Sequence, residues 1–496
     1  MDLNRLLIAA SALLPFAGHG QVPASDPWHG RARAMLEHLV NVPTVVGRDR
    51  VPEVARWLAG EYRAAGFPDA DIHVMPYDKT AALIVRWRAP GTPTARPIML
   101  MAHLDVVEAR RDDWTQTDPF VFTEKDGYFY GRGTSDIKQG VTATTMAVLE
   151  LKAGGFKPTR DILVFYTGDE ETDGKGALLG ATEWRALLDA EFGLNSDAGG
   201  GEFAVDGRAI GFALNSAEKT YASYTFTVRN RGGHSSQPRP DNAIYQLANA
   251  LHRLEIWRFE PAMNETTRAY FSAREKGEAG PLGEAMRAWL ADPLDGKAAD
   301  AIEADETTVG LTRTRCVATR LSGGHADNAL PQLATAMINC RIMPGVSPDA
   351  IRDELARIVA DPDVAVTRDD NNSTSLVSPL RADVVRAYTE AVHALHPGAP
   401  ILPEMSTGAS DAGPFRVAGI PVYGVDGSWL VSPTDLRAHG RDERLPVKAL
   451  GDDVDHWVLM LKMLAGGIGP APGANDQGAS TAGIADPPAS QGAPRP

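Results

Sequence analysis

An apolar run at residues 97–102 ends in His103-Leu104-Asp105. At strand period, His103 and Asp105 project to one face. A histidine that binds a metal needs its second ring nitrogen held, usually by a carboxylate. Next comes Gly131-Arg132-Gly133-Thr134-Ser135-Asp136, running into an apparent helix. The glycines free the backbone for a tight turn. Asp136 reads either as a plain N-cap or as a carboxylate aimed into a cleft. A third segment is a buried-looking strand at 161–166 leading into Thr167-Gly168-Asp169-Glu170-Glu171-Thr172. Three adjacent acids repel unless a cation sits among them, although a solvated acidic turn would look similar. The apolar strand before them favours the cation, because ligand sites in α/β sheets gather beyond the carboxyl ends of strands. Asn195-Ser196-Asp197-Ala198-Gly199-Gly200 adds an acid after another short strand, and Ala438-His439-Gly440-Arg441-Asp442-Glu443 adds a second histidine. No one segment decides the chemistry. Together they offer imidazole and hard oxygen ligands suited to Zn²⁺, Mn²⁺ or Co²⁺. A shared carboxylate would allow two metals roughly 3.5–4 Å apart.

The elements that must position these residues alternate between helix and strand. Apolar spacing predicts helices over 34–40, 54–65 and 141–151, and strands over 81–87, 97–102 and 161–166. The middle of the chain changes character. Residues 221–230 alternate with period two, 242–254 read as helix, 315–321 and 333–342 as strands and 350–359 as helix. A helix over 382–395 and an apolar strand near 420–424 return to the first pattern. The expected fold is α/β: a helix-covered mixed-sheet catalytic domain interrupted by an inserted α+β lid. The expected boundaries are 21–216 and 371–466 for the two parts of the first domain and 217–370 for the insert. The charged, helical stretch 260–308 is expected to elaborate the insert.

The chain has 496 residues, 43% of them apolar and 23% charged, which excludes disordered, coiled-coil and collagen-like architectures. A net charge of −15 argues against nucleic acid or an anionic membrane as the main partner. Two cysteines, Cys316 and Cys340, are too few for a disulfide framework or a Cys-rich zinc module. One bridge in an oxidising compartment and two small buried residues both remain open. Residues 6–17 are apolar apart from Ser11, too short to span a bilayer, which takes ~20 residues. They fit a secretory signal over residues 1–20, cleaved after Gly20 or, alternatively, after Ala24. The expectation is a protein exported to the periplasm or secreted, with no membrane attachment after cleavage. Residues 467–496 are Gly, Ala, Pro, Ser and Asp with almost no large apolar side chain, and are expected to form a disordered tail.

The order and wording of the five segments resemble the dinuclear zinc exopeptidase and amidohydrolase family. That family includes glutamate carboxypeptidase, carnosine-type dipeptidases, aminoacylase, acetylornithine deacetylase and succinyl-diaminopimelate desuccinylase. The resemblance runs from about residue 28 to 466. It implies two Zn²⁺ per subunit, with Co²⁺ or Mn²⁺ as substitutes. It implies that His103 and Asp197 hold one metal, that Glu171 and His439 hold the other, and that Asp136 bridges them, with a cis peptide bond after it. Asp105 would support from behind, and Glu170 would be the general base. The lid segments match too. Arg231-Gly232-Gly233-His234 would supply His234 as an oxyanion donor, from the partner subunit in dimeric relatives. The segments around Asn328, Arg341 and Gly408 would bind substrate, with Arg341 taking a carboxylate. Aspartate at position 197, where many carboxypeptidase and deacylase members carry Glu, resembles the dipeptidase and aminopeptidase members.

The expected activity is metal-dependent hydrolysis of peptide or N-acyl amino acid amide bonds, of carboxypeptidase or dipeptidase type, by a water between the metals. One alternative is an N-acyl amino acid deacylase. An alternative of another class is a periplasmic binding protein without catalysis, disfavoured because every ligand position and Glu170 are present. No Gly-x-Ser-x-Gly elbow with suitable partners supports a serine hydrolase. The expected partners are a small peptide or N-acyl amino acid and a second copy of the chain through the lid.

Overall fold

Two uninterrupted apolar strands, Ile98–His103 and Ile162–Thr167, lie side by side and are buried along their whole length. The structure is a computed structural model describing residues 26–369 and 374–466. The expected export signal and C-terminal tail lie outside the described residues. Among the described residues, no helix is long and apolar enough to cross a membrane.

The two strands sit within an eight-stranded mixed sheet. Its order is Ile72–Tyr77, Thr80–Trp87, Ile162–Thr167, Ile98–His103, Phe192–Ala204, Val422–Ser432, Ala209–Glu218 and Ile401–Ser406. The third to sixth of these run parallel, so their carboxyl ends share one edge. Alternate side chains feed two cores. Leu83, Leu100 and Val164 pack under helices that include Pro27–Val40, Lys138–Ala153 and Val447–Ala465. Met99, Met101, Leu163 and Phe165 pack on the other face against Lys175–Ala181 and Ala412–Val417. Both faces are covered, which is why the central strands read as continuous apolar runs.

A second sheet is antiparallel, in the order Arg315–Gly323, Leu333–Ile342, Thr220–Arg229 and Val364–Arg368. Helices Ala243–Ile256 and Pro348–Val359 give it a separate core around Tyr224, Phe226, Leu247, Ile338 and Leu355. Cys316 lies directly opposite Cys340 across two of its strands, and the pair is bridged. Only Lys219 separates strand Ala209–Glu218 of the first sheet from strand Thr220–Arg229 of the second.

Residues 260–308 are indeed helical, as Glu265–Arg274, Gly280–Ala291 and Gly296–Glu303. They do not serve the insert alone. Their core, with Phe271, Met286, Trp289 and Ile302, also takes in Met343 from the end of an insert strand and Met405 from the edge strand of the large sheet. The elaboration therefore braces one domain against the other.

Helix Val447–Ala465 meets strand Val422–Ser432 through two buried acids, Asp453 and Asp426, whose carboxyl groups lie against each other. Asp453 Oδ1 also accepts the Gly427 N–H at 3.0 Å, and Asp426 Oδ2 accepts the Ser428 hydroxyl. Burial pushes Asp426 up to about 6 and Asp453 well above its ordinary value. These groups keep protons in the folded chain at a pH where the unfolded chain has released them. Their support is therefore full below the unfolded values and is lost as pH rises through the folded ones. Asp453→Asn keeps the acceptor for Gly427 and supplies a permanent donor. Its melting temperature should match that of the wild type most closely near pH 4, close to the ordinary aspartate value of 3.8, and exceed it by about 1–4 °C at pH 8, as read by thermal denaturation across pH.

Candidate metal centre

His103 closes the central strand Ile98–His103 and is 1% exposed. Its Nδ1 lies 3.0 Å from the Asp105 carbonyl oxygen, so that nitrogen carries the proton and Nε2 faces the cleft. The expectation that the Asp105 carboxylate orients His103 holds only at 3.5 Å. Its firmer contacts lie elsewhere: Asp105 Oδ1 and Oδ2 accept the N–H groups of Glu170 and Glu171, each at 3.1 Å. Asp105 thus ties the acidic turn to the end of the neighbouring strand.

The three-acid run divides by function. Asp169 turns away, accepting the Tyr77 hydroxyl at 2.6 Å and the N–H groups of Lys175 and Gly176 at 2.8 and 3.0 Å, which starts helix Lys175–Ala181. Glu170 and Glu171 face the cleft instead. Glu170 Oε2 lies 4.0 Å from His103 Nε2, and burial together with the Asp197 charge raises its pKa well above the usual range.

Asp197 does not follow a short strand, as the sequence suggested. It lies inside the long strand Phe192–Ala204. Pairing with the adjacent strand jumps from Asn195↔Gly424 to Gly199↔Asp426, so residues 196–198 bulge out of the ladder. A bulge re-aims a side chain, and here it turns Asp197 Oδ1 to within 3.5 Å of His103 Nε2. Gly199, at φ 97°, sits where a Cβ would meet the Asp426 nitrogen and Gly424 oxygen at 2.9 Å, so a side chain cannot replace it. Burial pushes Asp197 up to about 6.

Asp136 is not an N-cap. The helix begins at Lys138, capped by Ile137 without a side-chain hydrogen bond, and the Asp136–Ile137 peptide is cis. One carboxylate oxygen, Oδ1, lies 3.4 Å from His103 Nε2, and the other, Oδ2, lies 3.0 Å from His439 Nε2. His439 Nε2 is also 2.9 Å from Glu171 Oε2. Hydrogen bonds to Asp136 and Glu171 push His439 up to about 10.

The residues fit a pair of metal ions. His103, Asp136 and Glu171 form one candidate ligand group, and His103, Glu170 and Asp197 another. His103 Nε2 is buried without a hydrogen bond. Two ligand atoms about 2.0–2.1 Å from one tetrahedral zinc lie roughly 3.3–3.4 Å apart, close to the 3.4 and 3.5 Å from that nitrogen to Asp136 and Asp197.

His234 and Asn328 are brought together, and among the described residues no hydrogen bond or ion pair joins them to this cluster. His234 pairs with Ala329 in a short antiparallel ladder, and the Ser235 N–H donates to the Asn328 carbonyl at 3.0 Å. His234 and Asn328 are both exposed, and the His234 ring touches Ser236. Arg341 is half-buried, with its guanidinium 4.9 Å from the Tyr221 ring centre, rather than a solvated strand residue. Gly408 donates to Ser406 Oγ at 2.9 Å. Its loop reaches the centre through Ser410, whose Oγ accepts from Asn195 Nδ2 at 3.3 Å. Sequence reasoning overlooked Asp411 in the same loop. It is buried, accepts the Thr167 hydroxyl at the start of the acidic turn, and has its pKa raised by burial. The signal was an acid three positions after Gly408, without any hint of its partner.

A family model described as peptidase family M20/M25/M40 matches residues 99–463. The chain is 27% identical over 396 residues to a probable carboxypeptidase S-like 2 of Dictyostelium discoideum, covering 77% of this chain and 74% of that protein. It is 28% identical over 375 residues to the N-fatty-acyl-amino acid synthase/hydrolase PM20D1 of Xenopus tropicalis, covering 74% and 72%. Among solved structures, a metallo-carboxypeptidase of Sulfolobus solfataricus aligns with a TM-score of 0.65 at 17% identity, covering 87% of this chain and 98% of that one. Human carnosine dipeptidase 1 aligns with a TM-score of 0.61 at 15% identity, covering 88% and 97%.

Asp136 sets one oxygen against each imidazole, at 3.4 and 3.0 Å, so its loss should empty the centre. Asp136→Ala should retain less than half of the metal bound by the wild type, as measured by elemental analysis of the dialysed protein.

Proposed function

The chain belongs to peptidase family M20/M25/M40, and from that premise we propose a dinuclear zinc hydrolase that releases an amino acid with a free carboxylate from a peptide or N-acyl amino acid. The observation that carries this reading is Asp136, whose two oxygens face His103 and His439, imidazoles more than 300 positions apart in the chain. The enzyme hydrolyses amide bonds. Zinc is the finer step, supported by imidazole and carboxylate donors at tetrahedral spacing.

His103 and Asp197 would hold one ion, Glu171 and His439 the other, with Asp136 between them. Bound there, the ions would polarise the scissile carbonyl and acidify water near neutral pH. Glu170, although within ligand reach of His103 and Asp197, would serve as the general base rather than as a ligand. It takes a proton from the attacking water and passes it to the leaving amine. The intact base and ligand positions oppose a non-catalytic binding protein. His234 would donate to the carbonyl oxygen as negative charge builds. Within one chain it is exposed and makes no hydrogen bond or ion pair with the cluster among the described residues, so it would reach a cleft by lid closure or from a second chain. A homodimer through the lid would supply the second route.

The two curated relatives, by name a carboxypeptidase and a hydrolase of N-fatty-acyl amino acids, share an amide whose amine side is an amino acid. Arg341 supports recognition of that side. Its planar fork binds carboxylate bidentately, and its half-buried guanidinium makes no ion pair among the described residues. The Cys316–Cys340 bridge supports export to an oxidising compartment, as does the signal-like start of the sequence.

Glu170→Gln should keep its metal content but lose at least ~10²-fold in turnover, the scale of general acid–base catalysis. Retained activity, or loss of both metals, would overturn the assignment of the base. His234→Ala should keep its metal and lose ~10²–10³-fold in kcat. If His234 acts from the partner, mixing it with Glu170→Gln should restore some activity. Failure to recover despite proven subunit exchange places His234 in the same chain. Substrates with a free C-terminal carboxylate should be hydrolysed much faster than their amides, and Arg341→Ala should erase that preference while leaving the slow amide reaction nearly unchanged. Equal wild-type rates on a dipeptide and its amide would show that the amino end is read instead.

A further inference from the structure

The halves of the metal centre rest on different kinds of backbone. His103 and Asp197 stand on adjacent strands of the large sheet. Asp136 and His439 stand on loops. His439 has φ 61°, and its side chain is 55% exposed, so neither strand pairing nor close packing fixes it. A buried ion pair joins the two loops. Arg132 Nη1 donates to Glu443 Oε2 at 2.5 Å, with the two side chains 3% and 0% exposed. Arg132 Nη2 donates to the carbonyl oxygens of His439 and Gly440 at 3.2 and 3.1 Å. In the other direction, Glu443 Oε1 accepts the N–H groups of Gly133 and Ser135, both at 2.9 Å, and of Asp136 at 3.2 Å. The connection is crossed. Arg132, four residues before Asp136, grips the backbone of His439, while Glu443, four residues after His439, grips the backbone of Asp136.

We propose that Arg132 and Glu443 are positioning residues whose crossed clamp sets the loop of Asp136 against the loop of His439 and so fixes the affinity of the Glu171–His439 half of the metal centre. The proposal rests on the dinuclear reading of the site. The residue types suit the task. Guanidinium presents donors on more than one edge, so a single side chain reaches a carboxylate and two carbonyl oxygens at once. A carboxylate has the lone pairs to accept several amides while still binding the guanidinium. The His103–Asp197 half depends on the clamp less, because two of its ligands stand on paired strands and only the shared Asp136 stands on a clamped loop.

The test is zinc binding by the metal-stripped full chain, measured against a competing chelator for the wild type, Glu443→Gln and Arg132→Lys. Folding is checked by circular dichroism. The wild type should bind two ions. Each variant should bind one ion within about threefold of the wild-type affinity and the second about 10–100-fold more weakly, the scale of lost outer-shell support. The lysine variant keeps a cation beside Glu443 but cannot also grip the His439 carbonyl, so it carries the test if Glu443→Gln does not fold. A folded variant that binds both ions as the wild type does would overturn the proposal. So would equal weakening of both ions, which marks general structural support, or failure of both variants to fold, which marks a folding requirement. A wild type that binds one ion would overturn the dinuclear reading first, and the clamp with it.

Discussion

Like charge gathered out of water is the constraint on which the rest of this structure depends. Asp136, Glu170, Glu171 and Asp197 converge on His103 and His439 in a cleft where burial and neighbouring carboxylates raise the pKa values of Glu170 and Asp197. Such a cluster is stable only if cations occupy it and the backbone prevents the carboxylates from separating. The surrounding fold meets both demands. Parallel strands bring His103 and the acidic turn to one edge. A bulge swings Asp197 inward, and Asp105 anchors the amides of Glu170 and Glu171. Asp169, the one acid of the run with a structural role, is satisfied by a helix start and by Tyr77.

The lid answers a different demand. Its core is separate from those of the large sheet, and a body with its own core moves against its neighbour by default. Within the lid, rigidity is local. The ladder of Gly233 and His234 with Ala329 and Leu330 presents His234 and Asn328 as one unit, and the Cys316–Cys340 bridge staples the outer strand to its neighbour. The helices over 265–303 limit this freedom by joining Met343 of the insert to Met405 of the large sheet.

What could be read in the sequence follows from how local its physics is. Strands Ile98–His103 and Ile162–Thr167 were legible because burial on two faces leaves an unbroken apolar run, and Thr220–Arg229 because burial on one face leaves alternation. Strand Ile401–Ser406 was not, since at the edge of the sheet it tolerates Pro403 and Glu404. Ile72–Tyr77, the opposite edge, hides Pro76 in the same way. All five metal-site segments were legible as residue types in order, but their geometry was not. The bulge that re-aims Asp197 exists only relative to the neighbouring strand. The diversion of Asp169 requires Tyr77, and the partnership of Arg132 with Glu443 spans 311 positions. Nothing in either segment alone distinguishes those two charges from solvated ones.

The buried charges around Asp136 show why stability alone does not account for them. An ion pair taken out of water loses hydration that its mutual attraction barely repays, and apolar replacements of such pairs are often neutral or stabilising by about 1–4 kcal/mol. Apolar residues at 132 and 443 would fill the space, yet they would leave without partners the amides of Gly133, Ser135 and Asp136 and the carbonyls of His439 and Gly440. Lys138 extends the pattern. Burial pushes its ammonium down to about 7, and it donates to the carbonyl oxygens of Leu39 and Val42 at 2.8 and 2.9 Å, at the end of helix Pro27–Val40. Three buried ionisable side chains thus tie the segment around Asp136 to its neighbours, each through backbone groups. A turn carrying Asp136 cannot be both regular enough to satisfy its own amides and sharp enough to aim that carboxylate between two imidazoles. The charges resolve that conflict, and so they sit beside the metal centre, where the backbone is least able to support itself.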